Sequence, residues 1–208
     1  MCPLCAGENI CAYSQDQFRK YLVCLSCALV FVPEQYHVCE KQEKARYDLH
    51  NNQPDDPGYR KFLGRLYKPL CGQIPPGASG LDFGCGPGPA LAAMFRESGY
   101  FIDVYDKFYA PDKEVFEKTY DFIAAAEVVE HLRYPGHDLA GLKKLLKPGG
   151  ILGIMTKLVK NRQAFNKWHY KNDQTHICFF SQQTFKWLAL HWRMPVEFIG
   201  NDVILIRS

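Results

Sequence analysis

The stretch LDFGCGPGP, residues 81–89, constrains the fold more than any other part of the chain. An apolar run ends at Phe83, and Gly84, Gly86 and Gly88 lie in a loop that leads straight into a helical pattern, ALAAMFRES. Glycines at such a place let the backbone take positive φ and approach a ligand closely. A dinucleotide fingerprint, G-x-G-x-x-G, needs glycine at 89, where this chain has Pro89. Downstream the alternation continues. YFIDVYD and YDFIAAAE read as strands, DLAGLKKLLK as a helix stopped by Pro148-Gly149-Gly150, ILGIMT as a strand and QQTFKWLALHW as a helix. VEFIGNDVILIRS reads as a closing pair of strands about a Gly-Asn turn. This pattern predicts an α/β fold, a Rossmann-like doubly wound sheet whose last strand is antiparallel. Ligands of such sheets bind outside the carboxyl ends of the strands, where the glycine loop lies. Asp82 stands two residues before the first glycine. Asp106 closes the second strand, at about the distance where an acid takes both ribose hydroxyls.

DFGCGPG, the acid of VYD, YDFIAAAEVVEHL and LLKPGGIL together resemble the class I S-adenosylmethionine-dependent methyltransferases, over roughly residues 55–208. The resemblance implies S-adenosylmethionine as cofactor. Asp82 and the loop of Gly84, Cys85, Gly86 and Gly88 would hold its methionine end, and Asp106 its ribose. Lys107 or Phe108 would lie near the adenine. Amino-methylating members often carry Asn/Asp-Pro-Pro-aromatic after the fourth strand. This chain has Glu127-Val128-Val129-Glu130 there, which disfavours adenine or glutamine N-methylation. A small metabolite hydroxyl is the acceptor expected, with RNA (a ribose 2′-hydroxyl or a base) as the alternative.

The segment AAAEVVEHL runs from an apolar strand into two acids and an imidazole. If a helix starts there, Glu127, Glu130 and His131 share one face at i, i+3 and i+4. The spacing resembles metal-dependent O-methyltransferases of ubiquinone biosynthesis and those that cap small RNAs on a terminal 2′-hydroxyl. In the latter, two Glu and two His hold a divalent cation, which implies His176 as the fourth ligand here. Such a set suits Mg²⁺, Mn²⁺ or Zn²⁺. Metal-free relatives carry the same Glu-x-x-Glu-His, where the His lines the pocket or serves as a base. A plain helix start is the third reading. His169 is a further candidate ligand or base.

The N-terminal segment carries a different signal. Cys2-x2-Cys5, eighteen residues, then Cys24-x2-Cys27 form two tight thiolate turns that complete a tetrahedron around zinc. FRKYLVC reads as a strand entering the second turn, and ALVFV as one leaving it. The expected organisation is a zinc ribbon over 1–45 and a methyltransferase domain over 46–208. A closed four-thiolate site is structural. An N-terminal ribbon before this fold is similar to the ribosomal-RNA guanine methyltransferases and to some sugar C-methyltransferases. EKQEKARYDLHNNQPDDPGYR, residues 40–60, reads as a charged helix followed by a Pro/Asp/Asn-rich connection.

Composition limits the partners. A formal charge of +3 on 208 residues does not announce a nucleic-acid binder, and residues 1–45 hold Arg19, Lys20, Lys41 and Lys44 against five acids. DNA is not an expected partner. Residues 157–171 are locally basic and aromatic, with Lys157, Lys160, Arg162, Lys167 and Lys171 among Phe165, Trp168, His169 and Tyr170. This loop follows the fifth strand and is expected to overhang the methyl donor. It would grip an anionic or aromatic acceptor or single-stranded RNA, or simply be a solvated surface. A zinc-ribbon binding module that uses the fold as scaffold is the competing class of function. No apolar run approaches a membrane span, and nine cysteines, five without paired spacing, point to reduced thiols in a cytoplasm.

Overall fold

The computed structural model describes residues 1–49 and 53–208. The N-terminal sheet begins with β1 (Ile10–Gln15), β2 (Lys20–Cys24) and β3 (Val30–Phe31), all antiparallel neighbours. FRKYLVC supplies β2 and ALVFV supplies β3. β1 was not legible, because none of its residues is buried and they show no clean alternation. The two cysteine turns repeat one backbone design. Ala6 N–H donates to Cys2 O at 3.0 Å, and Ala28 N–H to Cys24 O at 2.8 Å. Ala6 and Ala28 both sit at positive φ, 57° and 59°.

α1 (Glu40–Tyr47) is the expected charged helix, and the expected boundary near residue 45 falls inside it. The connection read after it includes 50–52, which lie outside the described residues. α2 (Pro57–Cys71) is longer and went unread. Its start is well marked. Asp56 accepts from Tyr59 N–H, and Pro57 occupies the first turn, where a missing N–H costs nothing. Leu63, Leu66 and Leu70 recur at helical spacing and are buried against the main sheet. Each contributes about 1.5–3 kcal/mol by leaving water.

The main sheet contains β4 (Ser79–Phe83), β5 (Phe101–Tyr105) after α3 (Ala90–Glu97), and β6 (Tyr120–Ala126). α4 (Pro135–Lys144) leads to β7 (Leu146–Met155). After α5 (Arg162–Asn166), β8 (Cys178–Phe179) and α6 (Gln182–Trp192), the chain closes with β9 (Val196–Ile199) and β10 (Val203–Arg207). The order is β5-β4-β6-β7-β10-β9. β4 pairs in parallel with β5 and β6, and β6 with β7, whereas β10 is antiparallel to both its neighbours. The chain therefore reverses direction across the sheet between β4 and β6, the switch point at which doubly wound sheets bind ligands. Among the described residues only a 3-10 turn, Lys113–Glu117, separates β5 from β6.

β8 does not join this sheet. It pairs with β3 through Val30↔Phe179 and Phe31↔Cys178, so a late segment completes the N-terminal sheet. The contact is aromatic: Phe165 meets Tyr21 and Phe179 edge-on, with ring centroids 5.0 and 5.2 Å apart. The first cysteine turn docks on α4, where Gly136 N–H donates to Pro3 O at 3.2 Å. A Cβ at Gly136 would stand 2.2 Å from Leu4 O, so only glycine fits. No described helix is long and apolar enough to cross a membrane.

Candidate active site

The glycine loop is stitched to the end of β5 by backbone. Gly84 and Gly86 take φ of 76° and 66°, and the N–H groups of Gly84 and Cys85 both donate to Tyr105 O. A Cβ at Gly84 would lie 2.5 Å from Val128 Cγ2. Asp106 fastens the same turn. One carboxylate oxygen accepts from Gly86 N–H at 3.1 Å, the other from Phe108 N–H at 2.8 Å and Tyr109 N–H at 3.2 Å. A carboxylate has about four lone-pair sites, so acceptor capacity remains. Gly84, Cys85, Gly86, Asp106 and Lys107 line a cavity of about 1110 Å³, while Asp82, Gly88 and Phe108 lie outside its lining. The Asp82 carboxylate turns under the loop to accept from Ala92 N–H at 3.2 Å, and burial pushes its pKa up to about 7. Gly88 O accepts from Ala90 N–H in the turn into α3. Lys107 turns to α1 instead, its Nζ 2.6 Å from Glu43.

At the end of β6 no α-helix starts. Glu127 N–H donates to Met155 O at 2.7 Å, and the chain then reverses through Glu127 at φ 54°, a left-handed conformation rare outside glycine. A single 3-10 turn, Val129–His131, follows. The shared helical face of the three polar side chains is thereby replaced. Glu127 faces the cavity, whereas Glu130 is fully buried behind it. Tyr170 Oη donates to Glu130, and Thr156 Oγ1 donates to it at 3.0 Å. Burial raises both carboxyl groups, and the charge of Glu127 raises Glu130 further. Glu127 Oε1 is buried with no hydrogen-bond partner among the described residues.

His131 Nδ1 lies 3.0 Å from Thr175 O, and His176 Nδ1 lies 2.7 Å from Tyr170 O. A carbonyl only accepts, so both rings carry a proton on Nδ1. The ring centroids are 4.7 Å apart, and both side chains line the cavity. Burial pushes His176 down to about 4, which keeps it neutral near pH 7. Of the four residues read as a metal set, Glu130, His131 and His176 come together with ligand atoms within 4.8 Å of one another; Glu127 is not in that group.

The roof of the cavity was missed. Glu43 and Tyr47 of α1 and Tyr59 and Phe62 of α2 line it. Buried Glu43 accepts from Tyr47 Oη at 2.9 Å, and Arg46 binds Asp173 at 3.0 Å. The leucine spacing of α2 was a usable signal, but nothing local says that these helices cross the cavity. In the 157–171 loop Phe165 and Tyr170 are buried, and Lys171 is buried and paired with Asp16 at 3.0 Å, whereas Lys160, Arg162 and Lys167 are exposed. His169 is exposed, outside the cavity lining, with Nε2 3.4 Å from Lys157 Nζ.

The four N-terminal cysteines form a second cluster. Cys2 and Cys27 Sγ are 3.5 Å apart, as are Cys5 and Cys24, and all four lie within 4.8 Å. Zinc–sulfur bonds of about 2.3 Å imply a tetrahedral edge of about 3.8 Å. The Cys27 thiol lowers the pKa of Cys2, favouring its thiolate. Cys11 and Cys39 stand outside the group, both exposed.

A glycine-loop cavity at the switch point of a mostly parallel sheet defines the class I methyltransferase architecture. The family model described as a methyltransferase domain matches residues 56–191, and the chain belongs to that family. A 1,6-didemethyltoxoflavin-N1-methyltransferase of Burkholderia thailandensis, solved with 1,6-didemethyltoxoflavin and S-adenosylhomocysteine, is similar in fold. It has a TM-score of 0.56 and 16% identity, with 95% of this chain and 98% of that one covered. A SAM-dependent methyltransferase of Archaeoglobus fulgidus has a TM-score of 0.54 and 16% identity, covering 72% and 94%. An O-methyltransferase family protein of B. thailandensis has a TM-score of 0.52 and 17% identity, covering 80% and 62%. No curated protein sequence matches the chain.

Proposed function

We propose that the protein moves a methyl group from S-adenosylmethionine to a hydroxyl of a small molecule bound under α1 and α2. The observation that carries this is one cavity lined both by Gly84, Gly86 and Asp106 and by Glu127, His131 and His176. The cofactor supplies an activated methyl on a sulfonium. Gly84 and Gly86 allow backbone approach at its methionine end, and Asp106 accepts from the ribose hydroxyls. Tyr59 and Phe62 exclude water from above. His131 and His176 line the acceptor's side of the cavity, and neutral His176 orients it through Nε2. Glu127, half-buried and with its buried Oε1 unpartnered among the described residues, takes the hydroxyl proton; its raised pKa makes it a better base than an ordinary carboxylate. The toxoflavin enzyme, whose bound ligands are both small molecules, supports a small acceptor. Incubation with radiolabelled cofactor and a fractionated small-metabolite extract is the test. Label in a small methyl ether is expected, with S-adenosylhomocysteine as the other product; label only in RNA would favour the alternative acceptor.

A second reading is metal assistance, favoured by the Glu130–His131–His176 group. In that reading both Nδ1–H groups donate to backbone carbonyls, as ligating histidines usually do. A bound cation would lower the pKa of the acceptor hydroxyl. Full activity in chelator, with the ribbon metal retained, would rule it out.

The cysteine cluster is proposed to hold one structural zinc, its thiolates being the right type and spacing. Metal analysis after dialysis should find one equivalent, and Cys24→Ser should unfold the N-terminal segment. Retained structure without metal would defeat the assignment.

A further inference from the structure

Arg19 sits in the turn between β1 and β2, far in sequence from the cavity, and is 5% exposed. Among the described residues no carboxylate pairs with its guanidinium directly. Nε donates to Tyr21 Oη at 3.0 Å, Nη1 to Gln174 O at 3.0 Å, and Nη2 to Lys171 O at 2.6 Å and Asp173 O at 2.8 Å. The charge is balanced one step away, where Tyr21 Oη donates to Asp16 at 2.7 Å. Asp16 also accepts Lys171 Nζ, and its other oxygen accepts the N–H groups of Phe18 and Arg19. A buried guanidinium is costly unless its donors are met. Arg19 therefore favours one shape of residues 171–174, the shape that aims three carbonyls at it.

The carbonyls on either side of that grip are the ones that hold the imidazoles. Tyr170 O receives His176 Nδ1–H, and Thr175 O receives His131 Nδ1–H. The same short segment carries Tyr170 Oη, the donor to Glu130, and Asp173, the partner of Arg46 on α1. One loop thus faces two ways. Carbonyls 171, 173 and 174 point to the ribbon, and carbonyls 170 and 175 point to the two histidines.

We propose that Arg19 is a positioning residue for methyl transfer: by gripping the 171–174 carbonyls it holds the loop that fixes the tautomer and orientation of His131 and His176. The ribbon then acts as a brace for the acceptor end, while the cofactor end does not depend on it. This rests on reading the two imidazoles as the acceptor-binding pair.

The test is ¹⁵N NMR of the histidine rings in the full-length protein at pH 8, with S-adenosylhomocysteine affinity measured alongside. Wild type should show both rings in the Nδ1–H form. In Arg19→Ala both should become tautomer mixtures, with affinity for S-adenosylhomocysteine within about twofold of wild type. Methyl transfer should fall roughly 10- to 100-fold, the scale of a small misplacement at a reacting centre. Arg19→Lys, which keeps the charge but not the fork, should lie between the two. Tautomers in Arg19→Ala identical to wild type would overturn the proposal. If that variant does not fold, wild-type tautomers and rate in Arg19→Lys would overturn it instead. His176→Ala separates the two readings. A wild-type transfer rate there would reject the imidazole pair itself, whereas an inactive His176→Ala beside unchanged tautomers in Arg19→Ala rejects only the brace.

Discussion

Two parts of the cavity lining are built from different materials. Around the glycine loop the work falls to backbone. Two positive-φ glycines, the Tyr105 carbonyl and one carboxylate twenty residues downstream of Gly86 make a self-contained turn. Around His131 and His176 side chains do it, drawn from α1, α2, the 127–131 segment and the 170–176 loop, and held by hydrogen bonds between segments remote in sequence. A turn of backbone tolerates almost no change at its glycines but needs little help from elsewhere. A constellation of side chains tolerates change at any one contact, yet depends on a distant brace.

The largest expected effect breaks the backbone end. Gly84→Ala puts a Cβ 2.5 Å from Val128 Cγ2 on a residue at φ 76°. Stability should fall by about 2–4 kcal/mol, from overpacking plus a strained φ, and S-adenosylhomocysteine binding should be lost. Gly72→Ala, at φ −71°, outside the cavity lining and with no heavy atom nearer than 3.6 Å to the new Cβ, is the control and should keep both. Chemical denaturation with a binding titration reads the pair.

A smaller effect sharpens the contrast through pH. Burial raises Asp82 from an ordinary 3.8 to about 7 in the folded state. Between those values the folded protein binds the proton that the unfolded chain has released, so this residue's contribution to stability declines as pH rises from about 4 to 7. Asp82→Asn removes that decline. Without cofactor it should gain roughly 1–2 kcal/mol over wild type at pH 8, a few degrees in Tm, and nothing at pH 4. Thermal melts across pH would show an unchanged slope if the carboxyl were not buried as described.

The smallest effect is at the roof. Arg46 is half-exposed in its pair with Asp173, so Arg46→Ala should cost less than about 1 kcal/mol of stability. Its mark should instead be a KM for the acceptor raised a few-fold with KM for the cofactor unchanged. Steady-state kinetics would contradict the roof's role if the cofactor KM moved instead.

These contrasts explain what the sequence disclosed. Local chemistry was readable: the strand alternation, the glycine loop, the acid closing β5 and the two cysteine turns all lie in contiguous runs with fixed spacing. Three things were not. α2 was hidden behind Pro69 and the polar run before it, although Leu63, Leu66 and Leu70 kept helical spacing. The Glu127 reversal was hidden because Glu-x-x-Glu-His fits a helix equally well, and only its bond to Met155 sets Glu127 apart. The 157–171 loop looked like a basic, aromatic surface because composition cannot show that Phe165 is spent on Tyr21 and Phe179. Arg19 is the extreme case. A lone arginine in a hairpin turn carries no local signal that its partners lie some 150 residues away.

Calorimetric titration of S-adenosylhomocysteine into two variants shows whether labour is divided within the one cavity. Asp106→Ala removes the ribose acceptor and should weaken binding by about 1.5–3 kcal/mol, roughly 10- to 150-fold. His176→Ala should bind within about twofold of wild type while losing methyl transfer. Equal losses in both variants, or a loss in His176→Ala alone, would contradict that division.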